Sequence, residues 1–133
     1  GGYAPIKDIY KTDAYALARW RNAHHPRWIK NDVHKIMPDR LITKAPTAEL
    51  RPNQKDEDSL PPYKTLDAIL KRLIENDEGI DETVAAGFDE SVVRKVYTLL
   101  HRSEFKRTQG APGVKLSRRS FDGDWHYPIT KKV

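Results

Sequence analysis

A chain of 133 residues has room for one modest hydrophobic core rather than two. With 32% charged and 38% hydrophobic residues it has the make-up of an ordinary globular domain with long polar connections, and its zero cysteines exclude disulfides, thiolate zinc sites and cysteine nucleophiles. A net charge of +5 favours polyanionic partners such as nucleic acids or phosphorylated small molecules, while no apolar stretch approaches the roughly 20 residues of a membrane span and no export signal opens the chain, so a cytoplasmic location without a membrane partner is expected.

From Asp8 to Asn22, Ile9, Leu17 and Trp20 with small Ala14 and Ala18 fall near one face at helical spacing, and Asp8 is placed to cap the start. The stretch HHPRWIKNDVHK contains Pro26, so the chain should turn there and resume helix briefly before Pro38. Between Pro38 and Pro62 stand Pro46, Pro52 and Pro61 among polar residues, a composition that predicts an irregular loop over 38–60, mobile without ligand. Pro61 and Pro62 suit a helix start, and Tyr63, Leu66, Ile69, Leu70, Leu73 and Ile74 then repeat at three- and four-residue steps. A short helix is expected from Asp81 through Ala86, closed by Gly87 in the left-handed position. Asp89 should cap a third helix striped by Val92, Val93, Val96, Leu99 and Leu100, with Phe88 packing on its first turn, so that 61–107 is helical. From 109 to 133 Gly and Pro punctuate a sequence without period, which reads as an extended tail. The chain is therefore expected to be mainly α, with no series of buried strands.

Positive residues gather in Lys11–Lys35 and in Arg102–Arg119, whereas 55–90 is rich in Asp and Glu. Lys11 lies in the first helical turn, where a cation opposes the macrodipole unless an anion joins it, and an anion there would also meet unpaired backbone N–H groups. The proline-punctuated loop offers Thr47, Glu49, Arg51, Asn53 and Gln54 for phosphate and Asp56, Glu57 and Asp58 for water-bridged Mg2+. Arg102, Lys106 and Arg107 around SEFKR complement the end of the third helix, an arrangement that needs no ligand. His24 and His25 are adjacent and with His34 lack a carboxylate at ligand spacing, so no metal site is assigned. No nucleophile elbow, glycine-rich phosphate loop or paired-carboxylate signature is present, and no catalytic residue is named from chemistry. DETVAAGFDESVVRKVYTLL has the layout of a helix-turn-helix, which makes a basic nucleic-acid-binding module the alternative reading, although Asp89 and Glu90 would meet phosphates with the wrong charge.

The run ITKAPTAELRPNQKDEDSL, from Ile42 to Leu60, together with SEFKR at Ser103 to Arg107, resembles the C-terminal part of a bacterial NAD+ synthetase. The resemblance extends from GGYAPIKDIYKT at the start to YPIT near the end, and the tail PGVKLSRRSF is similar to that of the glutamine-dependent branch. It implies the C-terminal helical portion of an α/β, Rossmann-like domain of ATP-pyrophosphatase type. The implied reaction converts deamido-NAD+ to NAD+: ATP adenylylates the nicotinate carboxylate, pyrophosphate leaves, and ammonia attacks the activated carbonyl, with Mg2+ on the phosphates. Implied partners are deamido-NAD+ and ATP, the rest of the synthetase domain, an N-terminal glutaminase domain resembling nitrilases, and a second copy in a homo-oligomer.

By motif match, the resemblance implies that Lys11 and Thr47 bind ATP and that Lys106 contacts deamido-NAD+. Phe105, beside Lys106 in that site, stands where the ammonia-dependent pattern has His, and Gly2 where it has an acid. The Ser-Gly-Gly-x-Asp-Ser loop that grips ATP, the metal-binding acids and the glutaminase domain are not among these residues, so the isolated chain is expected to be inactive.

Overall fold

Apolar side chains at three- and four-residue spacing between Tyr63 and Leu100 dictate where this chain buries its surface. The computed structural model describes residues 2–30, 32–44, 60–121 and 123–130. They form two compact units, one of 1–9 with 61–133 and the other of 10–60. Among the described residues every buried apolar side chain lies in the first unit, in keeping with the single core expected from length. The mainly helical expectation holds, and no strand occurs among the described residues.

In the second unit, α1 spans Lys11–Ala23, later than the sequence suggests. Its N-cap is Tyr10, without a side-chain bond, because the carboxylate of Asp8 is engaged elsewhere. The apolar face expected of this helix is not buried: Leu17 and Trp20 are 49% and 45% exposed, and the buried residue of α1 is Arg21. Its guanidinium donates to the carbonyls of His24, Val33 and His34 at 2.9–3.1 Å, while the Asn22 amide both donates to and accepts from the Met37 backbone. These clips tie the 24–37 segment to α1, and no helix occurs between Ala23 and Pro38 among the described residues. The short helix instead follows Pro38, as α2, Asp39–Thr43, with Pro38 itself as N-cap and Asp39 in the first turn. The first residues of the loop expected over 38–60 are therefore helical, and 45–59 lie outside the described residues.

In the first unit, α3 spans Tyr63–Leu70 with Pro62 as N-cap. It continues as a π-helical turn, Lys71–Glu75, closed by Asn76 N–H donating to Lys71 O at 3.2 Å. The wider turn buries the consecutive Leu73 and Ile74. Asp77 then takes φ 60°, a left-handed conformation that a short polar side chain tolerates, and pairs with Arg119 at 2.7 Å. Helix α4, Ile80–Ala85, starts at Gly79, whose N–H donates to Glu82 at 2.6 Å. Gly87 has φ 98°, the left-handed turn read from the sequence. Gly87→Ala meets no steric neighbour, so its whole cost is the backbone: about 1–2 kcal/mol, measurable by denaturant unfolding.

Helix α5, Glu90–Arg102, is capped as expected, Asp89 accepting from Val92 N–H at 3.1 Å. The hydrogen bond from the Ser91 hydroxyl and then that of the Val92 amide hold the Asp89 carboxyl below its ordinary pKa. Val93, Val96 and Leu100 of α5 meet Ile69, Leu73 and Ile74, and α5 packs on both α3 and α4. SEFKR is not the end of this helix: Ser103 breaks it, and Glu104–Thr108 form a separate short helix, α6. Beyond it the described residues of the tail form no regular element, as its Gly and Pro content predicts. Yet it is not merely extended, because it returns to the core and buries Trp125 against it.

Candidate functional site

Helix α6 is built with two opposed faces. Glu104 and Arg107, three apart, turn inward and are 2% and 6% exposed, while Phe105 and Lys106 turn outward. Glu104 and Arg107 form a buried ion pair. The Arg107 guanidinium also donates to the carbonyls of Trp125 at 3.1 Å and Phe121 at 3.4 Å, and lies 4.5 Å from the centroid of each of those rings. Glu104 in addition meets His126 Nδ1 at 3.0 Å. The ammonium of Lys7 donates to the Ala111 and Arg107 carbonyls at 3.1 and 3.4 Å, a cation where the helix dipole is negative. The sequence attributes Arg107 to the same dipole effect as Lys106, but the structure assigns Arg107 to the core and leaves Lys106 at the surface, its ammonium 6.0 Å from the Phe105 ring.

The tail that receives Arg107 is fixed by Asp8, the residue expected to cap α1. Its carboxylate is buried and accepts from the amides of Leu116, Ser117 and Phe121 and from the Ser117 hydroxyl at 2.7–2.8 Å. Burial pushes this carboxyl up, but the hydrogen bonds, led by that of the Ser117 amide, outweigh it and hold the group below its ordinary pKa. The chain ends approach closely here. Ala4 N–H donates to Pro112 O at 2.9 Å, and a Cβ at Gly113 would stand 2.6 Å from Ala4 O, so only glycine fits.

The other predicted residues are distributed as follows. Lys11 is exposed at the first position of α1, its ammonium 6.0 Å from the Tyr15 ring. Thr47, with Glu49 to Asp58, lies outside the described residues. Lys11 thus belongs to the second unit and Phe105 and Lys106 to the first. The rings of His25 and His34 approach to 4.8 Å, and among the described residues no group of three or more His, Asp or Glu is arranged to hold a metal.

A cleft of about 380 Å³ opens elsewhere in the first unit, between the start of α4 and the tail, lined in part by Asp77, Asp81, Arg94, Tyr97, Trp125 and Tyr127. Neither Phe105 nor Lys106 lines it. Burial, then the hydrogen bond with Tyr97, raises the Tyr127 phenol above its ordinary pKa. Sequence reasoning singled out none of the Asp8, Glu104, Arg107 and His126 network as such. The one local signal was the i, i+3 spacing of Glu104 and Arg107, which marks a shared helical face but not which face is inside.

Comparison with known proteins shows the family. The profile of the family described as NAD synthase matches residues 1–110. The chain is 51% identical over 132 residues to a glutamine-dependent NAD(+) synthetase of Rhodobacter capsulatus, covering 99% of this chain and 24% of that protein. It is 46% identical to the glutamine-dependent NAD(+) synthetase of Thermotoga maritima, covering 99% of this chain and 22% of that protein. The solved glutamine-dependent NAD+ synthetase of Acinetobacter baumannii, in complex with ADP, is similar with a TM-score of 0.52 at 40% identity, over 92% of this chain and 19% of that one. The chain therefore spans about a quarter or less of the length of these relatives. Carrying their sequence along nearly its full length and their helical arrangement in its fold, it belongs to the NAD synthase family.

Proposed function

We propose that the chain is part of an ATP-dependent amide-forming ligase that converts deamido-NAD+ to NAD+ with glutamine-derived ammonia. The observation that carries this reading is the 51% identity to a glutamine-dependent synthetase over 99% of the chain. In the reaction the nicotinate carboxylate attacks the α-phosphate of ATP, pyrophosphate leaves, and ammonia displaces AMP from the acyl carbon. These 133 residues supply binding groups rather than the complete site. Lys106, exposed on α6, offers an ammonium to the anionic dinucleotide, with the Phe105 ring beside it as an apolar surface. Lys11 and Thr47 are assigned to ATP. Mg2+ would neutralise the phosphates and be held mainly by parts of the synthetase outside these residues, the described ones having no metal-ligating cluster.

The remaining parts of the proposal are a Rossmann-like ATP-pyrophosphatase sheet, a glutaminase domain and a homo-oligomeric, cytoplasmic enzyme, with the 133 residues inactive alone. The comparisons lend no support to the helix-turn-helix alternative. Physically, α5 would have to read DNA with a helix whose Val93, Val96 and Leu100 are buried and whose first turn is acidic.

The test is Lys106→Ala in the complete synthetase. Loss of one charge-assisted hydrogen bond should raise the KM for deamido-NAD+ about tenfold, with that for ATP unchanged. Unaltered saturation by deamido-NAD+ would remove Lys106 from the site.

A further inference from the structure

We propose that the buried Glu104–Arg107 pair positions the Phe105–Lys106 pair for the dinucleotide, which makes both Glu104 and Arg107 positioning residues that act through the tail. The inference rests on the functional reading above. Helix α6, Glu104–Thr108, is one turn and a half long, far too short to hold its own orientation. Its direction must come from tertiary contacts, and its inward face supplies them with an ion pair rather than with apolar side chains.

An apolar pair of similar volume would stabilise the fold as well or better, because withdrawing two charges from water offsets most of their attraction. What an ion pair adds is direction. The guanidinium is a flat, rigid fork whose donors have fixed angles. Here that fork pairs with Glu104, donates to the carbonyls of Phe121 and Trp125, and lies 4.5 Å from the centroid of each of the Phe121 and Trp125 rings. Glu104 is in turn tied to His126, and the far end of α6 is held by Lys7. Rolling α6 to either side would break several of these contacts at once. Successive helical residues diverge by about 100°, so fixing the roll of Glu104 and Arg107 fixes where Phe105 and Lys106 point.

The experiment compares Arg107→Lys and Phe121→Leu with Lys106→Ala in the complete synthetase, following KM for deamido-NAD+, KM for ATP, kcat and the melting temperature. Lysine keeps the charge but lacks the fork, and leucine keeps an apolar side chain but removes the aromatic ring 4.5 Å from the guanidinium. Displacement of a binding group by a fraction of an ångström predicts a rise in deamido-NAD+ KM of about tenfold for Arg107→Lys and about threefold for Phe121→Leu. KM for ATP should stay within twofold. Should Arg107→Lys fail to fold, Phe121→Leu decides. A folded variant with unchanged deamido-NAD+ KM, or one in which both KM values rise together, overturns the proposal. If Lys106→Ala raises deamido-NAD+ KM and the two brace variants do not, the inference alone fails. If Lys106→Ala itself has no effect, Lys106 leaves the site and the inference falls with that assignment.

Discussion

Replacing Asp8 by alanine should destabilise the first unit by about 3 kcal/mol, a fall of about 15 °C in its melting midpoint. The carboxylate satisfies three backbone N–H groups and one hydroxyl that are otherwise folded away from water, and alanine leaves them without an acceptor. Asp8→Asn, of nearly equal size, keeps one accepting oxygen and should lose about half as much. The emission of Trp125, buried in the same unit, reports the transition. The pH dependence has a definite sign. The folded-state pKa of Asp8 is depressed, so its contribution is fully present above the unfolded value of about 3.9 and is lost as pH falls through the lower native value. Wild-type and Asp8→Asn stability curves should therefore converge in acid, below about pH 4. Curves that stay parallel well below about pH 4 would show that the carboxylate contributes no charge-dependent stability.

The second large effect belongs to Trp125. Its ring is 6% exposed, belongs to the apolar core, meets the His101 and Tyr127 rings edge-on at 5.8 and 4.7 Å, and has the Arg107 guanidinium 4.5 Å from its centroid. Trp125→Ala leaves a cavity and a buried cation with one face bare, and should cost about 3–5 kcal/mol. Far-UV circular dichroism during denaturant unfolding measures this. A loss under 1 kcal/mol would mean that the tail lies on the core without contributing to it.

The helices were legible in the sequence wherever an apolar stripe had a partner. Leu66 to Ile74 and Val92 to Leu100 repeat at helical spacing and pack on each other, and Asp89 and Gly87 punctuate them as local chemistry dictates. The start of α1 was misread because a lone Asp before a helix looks like a cap. Nothing local shows that amides more than a hundred residues away compete for it and win. The helix placed before Pro38 failed for a similar reason, since the carbonyls that Arg21 gathers are specified by a side chain on α1. At the candidate site, the motif match picks out Lys106, whereas charge and helical position alone treat it and Arg107 alike. Both are cations at the end of a helical stretch, and only the tail's aromatic rings decide which one is buried.

The joining of residues 2–9 to residues 107–121 also governs the order in which the molecule assembles. A ribosome releases residues 10–44 and the α3–α5 hairpins before residues 107–121, and their contacts are local enough to form at once. The segment 2–9, by contrast, cannot settle until residues 116–121 have emerged, because the amides that Asp8 requires are synthesised more than a hundred residues later. Helix α6 waits with it, so Lys106 acquires its final direction only once that stretch is in place.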